Sequence, residues 1–213
     1  MATIKKGILG PFSGKIGNVV GSSWKGLDVI RTIPKKKKYR FSKLQILQQA
    51  NFILMTRFLR PLTDLLNITY GYSAVNMSGY NKAFSMNIHH IAGTYPSLKV
   101  NYSAIMLSYG RLVNGYEVTG SSVNKGKLLI DWSRKLVFNN QASETDQLYL
   151  AAYNEDKDFW YWDFAVAKRL DGTIELDLSH YSGLQMHVYL GFISENGKNC
   201  SNSLYLGSVK IVQ

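Results

Sequence analysis

Cysteine is nearly absent: the chain of 213 residues has one, Cys200, which excludes an internal disulfide and any metal site built from several thiolates. Proline is scarce, at four residues. With 18 glycines in no fixed period, that composition excludes collagen-like and low-complexity architecture. Long apolar runs are missing as well. Phe52-Ile-Leu-Met55 spans four residues, against the roughly 20 that a membrane-crossing helix needs. No conventional signal peptide is expected, because Gly10 and Pro11 cut short the apolar stretch that follows Lys5 and Lys6; a cytoplasmic address is the default expectation. What remains is 46% hydrophobic, 18% charged and 13% aromatic, a tyrosine-rich globular composition long enough for one large domain or two small ones with a real core.

The net charge of +11 is not spread along the chain. Residues 1–66 hold 13 Lys and Arg against Asp28 and Asp64, while residues 67–213 hold 12 basic and 12 acidic side chains. This asymmetry predicts a basic arm followed by a neutral body, and basic arms attract phosphate backbones, anionic membrane surfaces or acidic proteins. The plain alternative is a solvated surface that aids solubility.

The first segment spaces its glycines a few residues apart among β-branched positions. Lys25-Gly26 lies between two β-prone runs, Ile16 to Trp24 and Leu27 to Ile33, and reads as a hairpin turn with glycine supplying positive φ. Ile16, Val19, Val20, Trp24, Val29 and Ile30 are too few to form a core, because a lone hairpin is marginal in water. The hairpin must therefore lie on the chain's own body or on another subunit. Pro34 with Lys35-Lys-Lys-Lys38 forms a hinge. A helix is expected from Ser42, the N-cap, with Gln45 closing a capping box and Phe41 and Ile46 as a staple. Leu47, Ala50, Leu54, Phe58 and Leu62 recur at helical spacing, and Pro61 should kink or end the helix. A shorter helix is expected over Tyr80 to Ala92.

From about Leu98 the apolar period changes to two. Leu128/Ile130/Trp132, Leu148/Leu150/Ala152, Trp160/Trp162/Phe164/Val166, Ile174/Leu176/Leu178, Leu184/Met186/Val188/Leu190/Phe192 and Leu204/Leu206 alternate as half-buried strands do. Between them lie turns at Asn139-Asn140, Asn154 to Asp158, Asp171-Gly172, Ser182-Gly183 and Glu195 to Asn199. The expected fold is mainly β with an N-terminal α segment: an antiparallel immunoglobulin- or fibronectin-like β-sandwich preceded by a glycine-rich hairpin arm and a long helix. The expected divisions are 1–41 for the basic arm and hinge, 42–97 for the helical segment and 98–213 for the sandwich.

Gly7-Ile-Leu-Gly10, Phe12-Ser-Gly-Lys-Ile-Gly-Asn-Val-Val-Gly21, Ser23-Trp-Lys-Gly26, Phe58-Leu-Arg-Pro-Leu62 and Ser201-Asn-Ser-Leu-Tyr-Leu-Gly207 together resemble an uncharacterised family of similar length from Bacteroidetes-type bacteria. The resemblance runs through nearly the whole chain. It implies a bacterial source and a single unit of arm and β-domain, and it carries no activity and no catalytic residue.

Several chemistries fail on spacing. Gly10-Pro-Phe-Ser-Gly-Lys-Ile16 has three residues between its glycines, not four, and Ile16 where a phosphate loop needs a hydroxyl. Asn154-Glu-Asp-Lys-Asp158 has Phe159 where a calcium loop needs glycine. His89 and His90 are adjacent and so point apart, and no serine sits in a nucleophile elbow. No enzyme activity, cofactor or metal is expected. Trp160, Tyr161 and Trp162 belong to the densest aromatic cluster; one strand face belongs to the core, and the other meets a partner, a sugar or a covering helix.

The leading expectation is a non-enzymatic structural, assembly or protein-interaction module working through the N-terminal arm, with a protein partner or a second copy. The alternatives are nucleic-acid binding through the basic arm and carbohydrate binding on the sandwich. The candidate contact residues are Lys15, Trp24, Lys25, Arg31, Lys35, Lys36, Lys37, Lys38, Arg40, Trp160, Tyr161 and Trp162.

Overall fold

Positive φ at Lys25 (46°) and Gly26 (84°) closes a hairpin with the two-residue turn whose twist matches that of its strands. The computed structural model describes residues 3–4, 7, 10–35, 40–134 and 142–213; Lys36, Lys37, Lys38 and the turn at Asn139-Asn140 lie outside them. Contacts divide the chain into two units, Met1–Gln45 and Ile46–Gln213.

The first unit is an antiparallel sheet of β1 (Thr3–Ile4), β2 (Phe12–Ile16), β3 (Val19–Trp24) and β4 (Leu27–Thr32), in that order. The β-prone run expected from Ile16 is interrupted. Ile16 pairs with Val19 across Gly17-Asn18, with Gly17 at φ 55°, so a second two-residue turn precedes the expected one. Gly21 permits a close crossing, since a Cβ there would stand 2.1 Å from the Phe12 carbonyl and 2.7 Å from its ring.

Helix α1 (Lys43–Leu59) starts with the expected capping box. The Ser42 amide donates to Gln45 Oε1 at 2.9 Å and the Gln45 amide to Ser42 Oγ at 3.3 Å. Ser42→Ala should weaken the first turns of α1 by about 1 kcal/mol, read as faster amide exchange at Ile46 to Gln48; unchanged exchange there would show that the box carries none of the helix start. At Pro61 the chain tightens into a 3₁₀ turn, Arg60–Leu62, and continues as α2 (Thr63–Thr69). Helix α3 (Gly79–Asn87) ends five residues before the expected Ala92. Its end gives way to a hairpin of β5 (Ile91–Thr94) and β6 (Ser97–Val100), because Gly93 within β5, at φ 95°, and Pro96 in the turn do not suit a helix.

Seven strands follow: β7 (Tyr116–Ser121), β8 (Lys127–Ser133), β9 (Gln147–Asn154), β10 (Phe159–Lys168), β11 (Thr173–Asp177), β12 (Gln185–Ile193) and β13 (Leu204–Lys210). They form two antiparallel sheets, β10-β9-β12-β13 and β11-β8-β7. Connections from β8 to β9, β10 to β11 and β11 to β12 cross between sheets, which makes a Greek-key sandwich. One core lies between the sheets, from Leu128, Ile130 and Trp132 on β8, Leu148, Leu150 and Ala152 on β9, and Met186, Val188, Leu190 and Phe192 on β12. A second core lies on the outer face of the four-stranded sheet, where Met55, Phe58, Leu59, Leu62, Leu65 and Leu66 cover Tyr149, Ala151, Tyr153 and Tyr189. The second unit thus has three layers, with the four-stranded sheet buried on both sides.

The β10 alternation departs from expectation. Asp163 pairs with Leu150 but Ala167 with Leu148, so β10 takes four steps while β9 takes two. Ala165, at φ 56°, sits in this bulge. Trp160, Trp162 and Phe164 pack with the helix-covered core, whereas Val166 packs with the core between the sheets. The four residues do not share a face.

Candidate functional site

Cross-strand register decides which side chains of the N-terminal sheet can act together. Lys15 pairs with Val20 and Val20 with Arg31, so a row with two cations crosses three strands. Ser22 pairs with Val29 and Trp24 with Leu27, and alternation places these residues on the same face as that row. The face is an apolar stripe of Trp24, Leu27 and Val29 with Lys15 and Arg31 at one end. Trp24 is 59% exposed and Ile30, on the opposite face, 65%. Lys25 occupies the turn, and Lys35 and Arg40 are exposed. Among the described residues strand β4 is the last of its sheet, and all six of its residues are exposed. An open edge beside apolar side chains is a template for another strand.

Trp160, Tyr161 and Trp162 are each half-buried and are not brought together on one surface. The Trp160 indole donates to the Phe58 carbonyl at 2.8 Å, and its ring lies 5.0 Å from Phe58 and from Tyr153. Tyr161 points the other way, 5.9 Å from Tyr181. Both faces of β10 are occupied from within the chain, which accounts for so many aromatics in one strand.

Cys200, His187 and the Arg169–Asp146 pair are held in structural contacts. The Cys200 thiol donates to the Thr69 carbonyl at 2.8 Å, and burial pushes its pKa up to about 11, the wrong direction for a nucleophile. His187 stacks 4.1 Å from Tyr102, shares a 2.8 Å bond with the Tyr205 hydroxyl and is held below its usual pKa by burial. Arg169 and Asp146 form a buried ion pair at 3.1 Å. Among the described residues no three His, Cys, Asp or Glu side chains gather as metal ligands would, and no helix is long and apolar enough to cross a membrane.

One feature of α1 is poorly legible in the sequence. Leu44, Phe52 and Ile53 are more than half exposed, whereas the helical spacing of Leu47, Ala50, Leu54 and Phe58 suggests a single apolar face. The signal was the run Phe52 to Met55, whose four consecutive side chains cannot all face one side of a helix.

The second unit is therefore a helix-covered Greek-key β-sandwich. The chain belongs to DUF6266, a family of unknown function, whose model matches residues 11–207. No curated protein is significantly similar to it. Among solved structures it resembles the fn3 domain of human collagen alpha-1(XX) chain, with 13% identity and a TM-score of 0.36 over 50% of this chain and 90% of that one. It also resembles the FN1–FN3 domains of chicken CNTN1, at 15% and 0.38 over 50% of this chain and 36% of that one. A family 76 glycoside hydrolase from a bovine Bacteroides thetaiotaomicron strain matches at 11% and 0.37, over 48% of this chain and 21% of that one. The sandwich assignment rests on the strand order and the shared core given above.

Proposed function

We propose that the chain is a non-enzymatic assembly module whose basic, glycine-rich N-terminal arm joins a second copy through the free edge of β4. The observation that carries this reading is that edge, with six exposed residues in a row and Leu27, Val29 and Ile30 each about half exposed or more. Two such edges pair antiparallel about a two-fold axis, each supplying the strand that the other lacks, and the contact closes without further copies. Apolar side chains on both sides of the edge gain cover from the neighbouring sheet.

Light scattering on the full chain at moderate salt should give a dimer. Replacing Val29 and Ile30 by Lys, which blunts an edge by charge, should return the monomer while leaving the melting of the sandwich unchanged. A wild-type chain that stays monomeric at about 100 μM, a concentration above most specific dimer dissociation constants, overturns the reading. A monomer that instead binds nucleic acid with a steep salt slope, reduced when Lys35 to Lys38 become Gln, would assign the arm to phosphate contacts.

A further inference from the structure

Apart from the arm, the second unit carries a depression of mixed polar and aromatic lining at one end of the sandwich, formed by two adjoining hollows of about 360 Å³ each. Three segments build it: the turn after α2 with Tyr72, the stretch Tyr109–Arg111, and the β12–β13 loop from Ser194 to Asn202. These segments are fixed to one another. The Leu112 amide donates to the Cys200 carbonyl at 3.0 Å, and the Gly110 amide donates to Asn202 Oδ1 at 3.2 Å. Gly110 allows this approach, since a Cβ there would stand 2.0 Å from the Cys200 carbonyl oxygen. The loop is braced from inside: the Asn199 amide donates to Ser194 Oγ and the Lys198 amide to Asn196 Oδ1, each at 2.9 Å. A site held this way loses little freedom on binding.

Two cations, Arg111 and Lys198, and the side-chain amides of Asn196 and Asn202 face this depression. The amide oxygens of Asn196 and Asn202 are committed to backbone N–H groups, which turns their Nδ2 donors to other partners. Arg111 and Lys198 are exposed, and neither side chain has an ion pair among the described residues. Among the described residues no carboxylate lines either hollow. Two cations with side-chain amide donors beside them favour an anion rich in oxygen. Tyr72 is 78% exposed and Tyr109 44%, and their rings supply flat amphipathic surfaces beside the charges.

We propose that this depression binds an acidic sugar, with its ring against Tyr72 and Tyr109 and its carboxylate or phosphate on Arg111 and Lys198. The inference uses only the second unit and does not depend on what the arm does. The test is titration of the isotope-labelled full chain, followed by amide NMR, with glucuronic acid, a tetrasaccharide ending in glucuronic acid, glucose 6-phosphate, glucose and inorganic phosphate. Shifts should cluster at Tyr72, Tyr109 to Arg111 and Ser194 to Asn202, and at least one acidic sugar should bind about tenfold or more tightly than glucose, the scale of one charge-assisted bond. Tighter binding of the tetrasaccharide than of the free acids would name a glycan as the source; the reverse would name a free metabolite. Arg111→Gln with Lys198→Gln should remove that preference, and Lys198→Gln alone should reduce it. Tyr72→Ala should weaken the sugars but not phosphate. Absence of shifts at about 10 mM ligand, a very weak limit, overturns the proposal. So does equal binding of glucose, or binding of phosphate as tightly as of glucose 6-phosphate.

Discussion

Arg169→Met should be among the most damaging single substitutions in the sandwich, lowering stability by about 3–5 kcal/mol, the usual cost of leaving a buried charge without its partner. The guanidinium is placed by three neighbours at once. Its Nε donates to Asp146 Oδ2 at 3.1 Å, an Nη donates to the Val113 carbonyl at 2.7 Å, and its carbon stands 3.9 Å over the Phe192 ring. The Arg169 backbone carbonyl accepts the Trp132 indole N–H at 2.8 Å, so one residue links β8, the approach to β7 and the start of β9. Burial pulls the Arg169 pKa down and Asp146 pulls it back up; the side chains are 4% and 1% exposed. Methionine preserves most of the contact with Phe192 and strands the Asp146 carboxylate. Adding Asp146→Asn should recover at least half of the loss, because the amide oxygen can still accept from the Ser143 N–H that now bonds to Asp146 at 2.9 Å. Urea unfolding of the two single variants and the double variant checks this. A loss below about 1 kcal/mol for Arg169→Met would show that the Asp146 carboxylate reaches water or a proton once its partner is gone, so that no buried charge is left stranded.

That pair was invisible in the sequence, since 23 positions separate its members and neither sits in a motif. The inner face of the sandwich was legible. Leu128/Ile130/Trp132, Leu148/Leu150/Ala152, Ile174/Leu176/Leu178 and Met186/Val188/Leu190/Phe192 all contribute to the core between the sheets, because burying one face of a strand imposes period two directly on the residues. The same logic failed at two places for identifiable reasons. Strand β7 buries almost nothing, with Tyr116, Glu117, Thr119 and Ser121 exposed, and so leaves no alternation to find. In β10 the bulge at Ala165 carries Val166 to the opposite face, and nothing in Phe164-Ala-Val-Ala167 announces it. The candidate site divides in the same way. Trp24, Lys15 and Arg31 could be singled out one by one, but only strand register places them on one face. The hollow around Arg111 and Lys198 joins segments 87 residues apart and has no local signature.

The chain should also unfold steeply in alkali, because three of its largest core residues are phenols that cannot ionise in place. Tyr70, Tyr149 and Tyr189 are fully buried. Each hydroxyl donates its proton inside the fold: Tyr70 to the Met106 carbonyl at 2.7 Å, Tyr149 to Ser108 Oγ at 2.6 Å and Tyr189 to the Tyr102 carbonyl at 2.8 Å. A phenolate at these positions would lose its donor, and in two of them would face a carbonyl oxygen. Burial accordingly raises all three pKa values far above 10. In the unfolded chain the same groups ionise near pH 10. Their contribution to stability is therefore fully present below about pH 10 and is lost as pH rises toward the folded-state values, at about 1.4 kcal/mol per pH unit for each group. Three groups together remove about 4 kcal/mol per unit, so a fold of ordinary stability, about 5–15 kcal/mol, should fail within a few units above pH 10. Cys200, raised to about 11, adds one more proton to the slope from about pH 9 upward. Urea midpoints measured from pH 7 to 11, alongside tyrosinate absorbance, should stay level at first and then fall, with a burst of absorbance on unfolding. Tyr189→Phe should lose about 1 kcal/mol at pH 7 for its hydrogen bond and fall less steeply above pH 10, by about 1.4 kcal/mol per unit. A midpoint that holds level through about pH 11, or a Tyr189→Phe slope equal to that of the wild type, would mean that these phenols reach water in the folded protein.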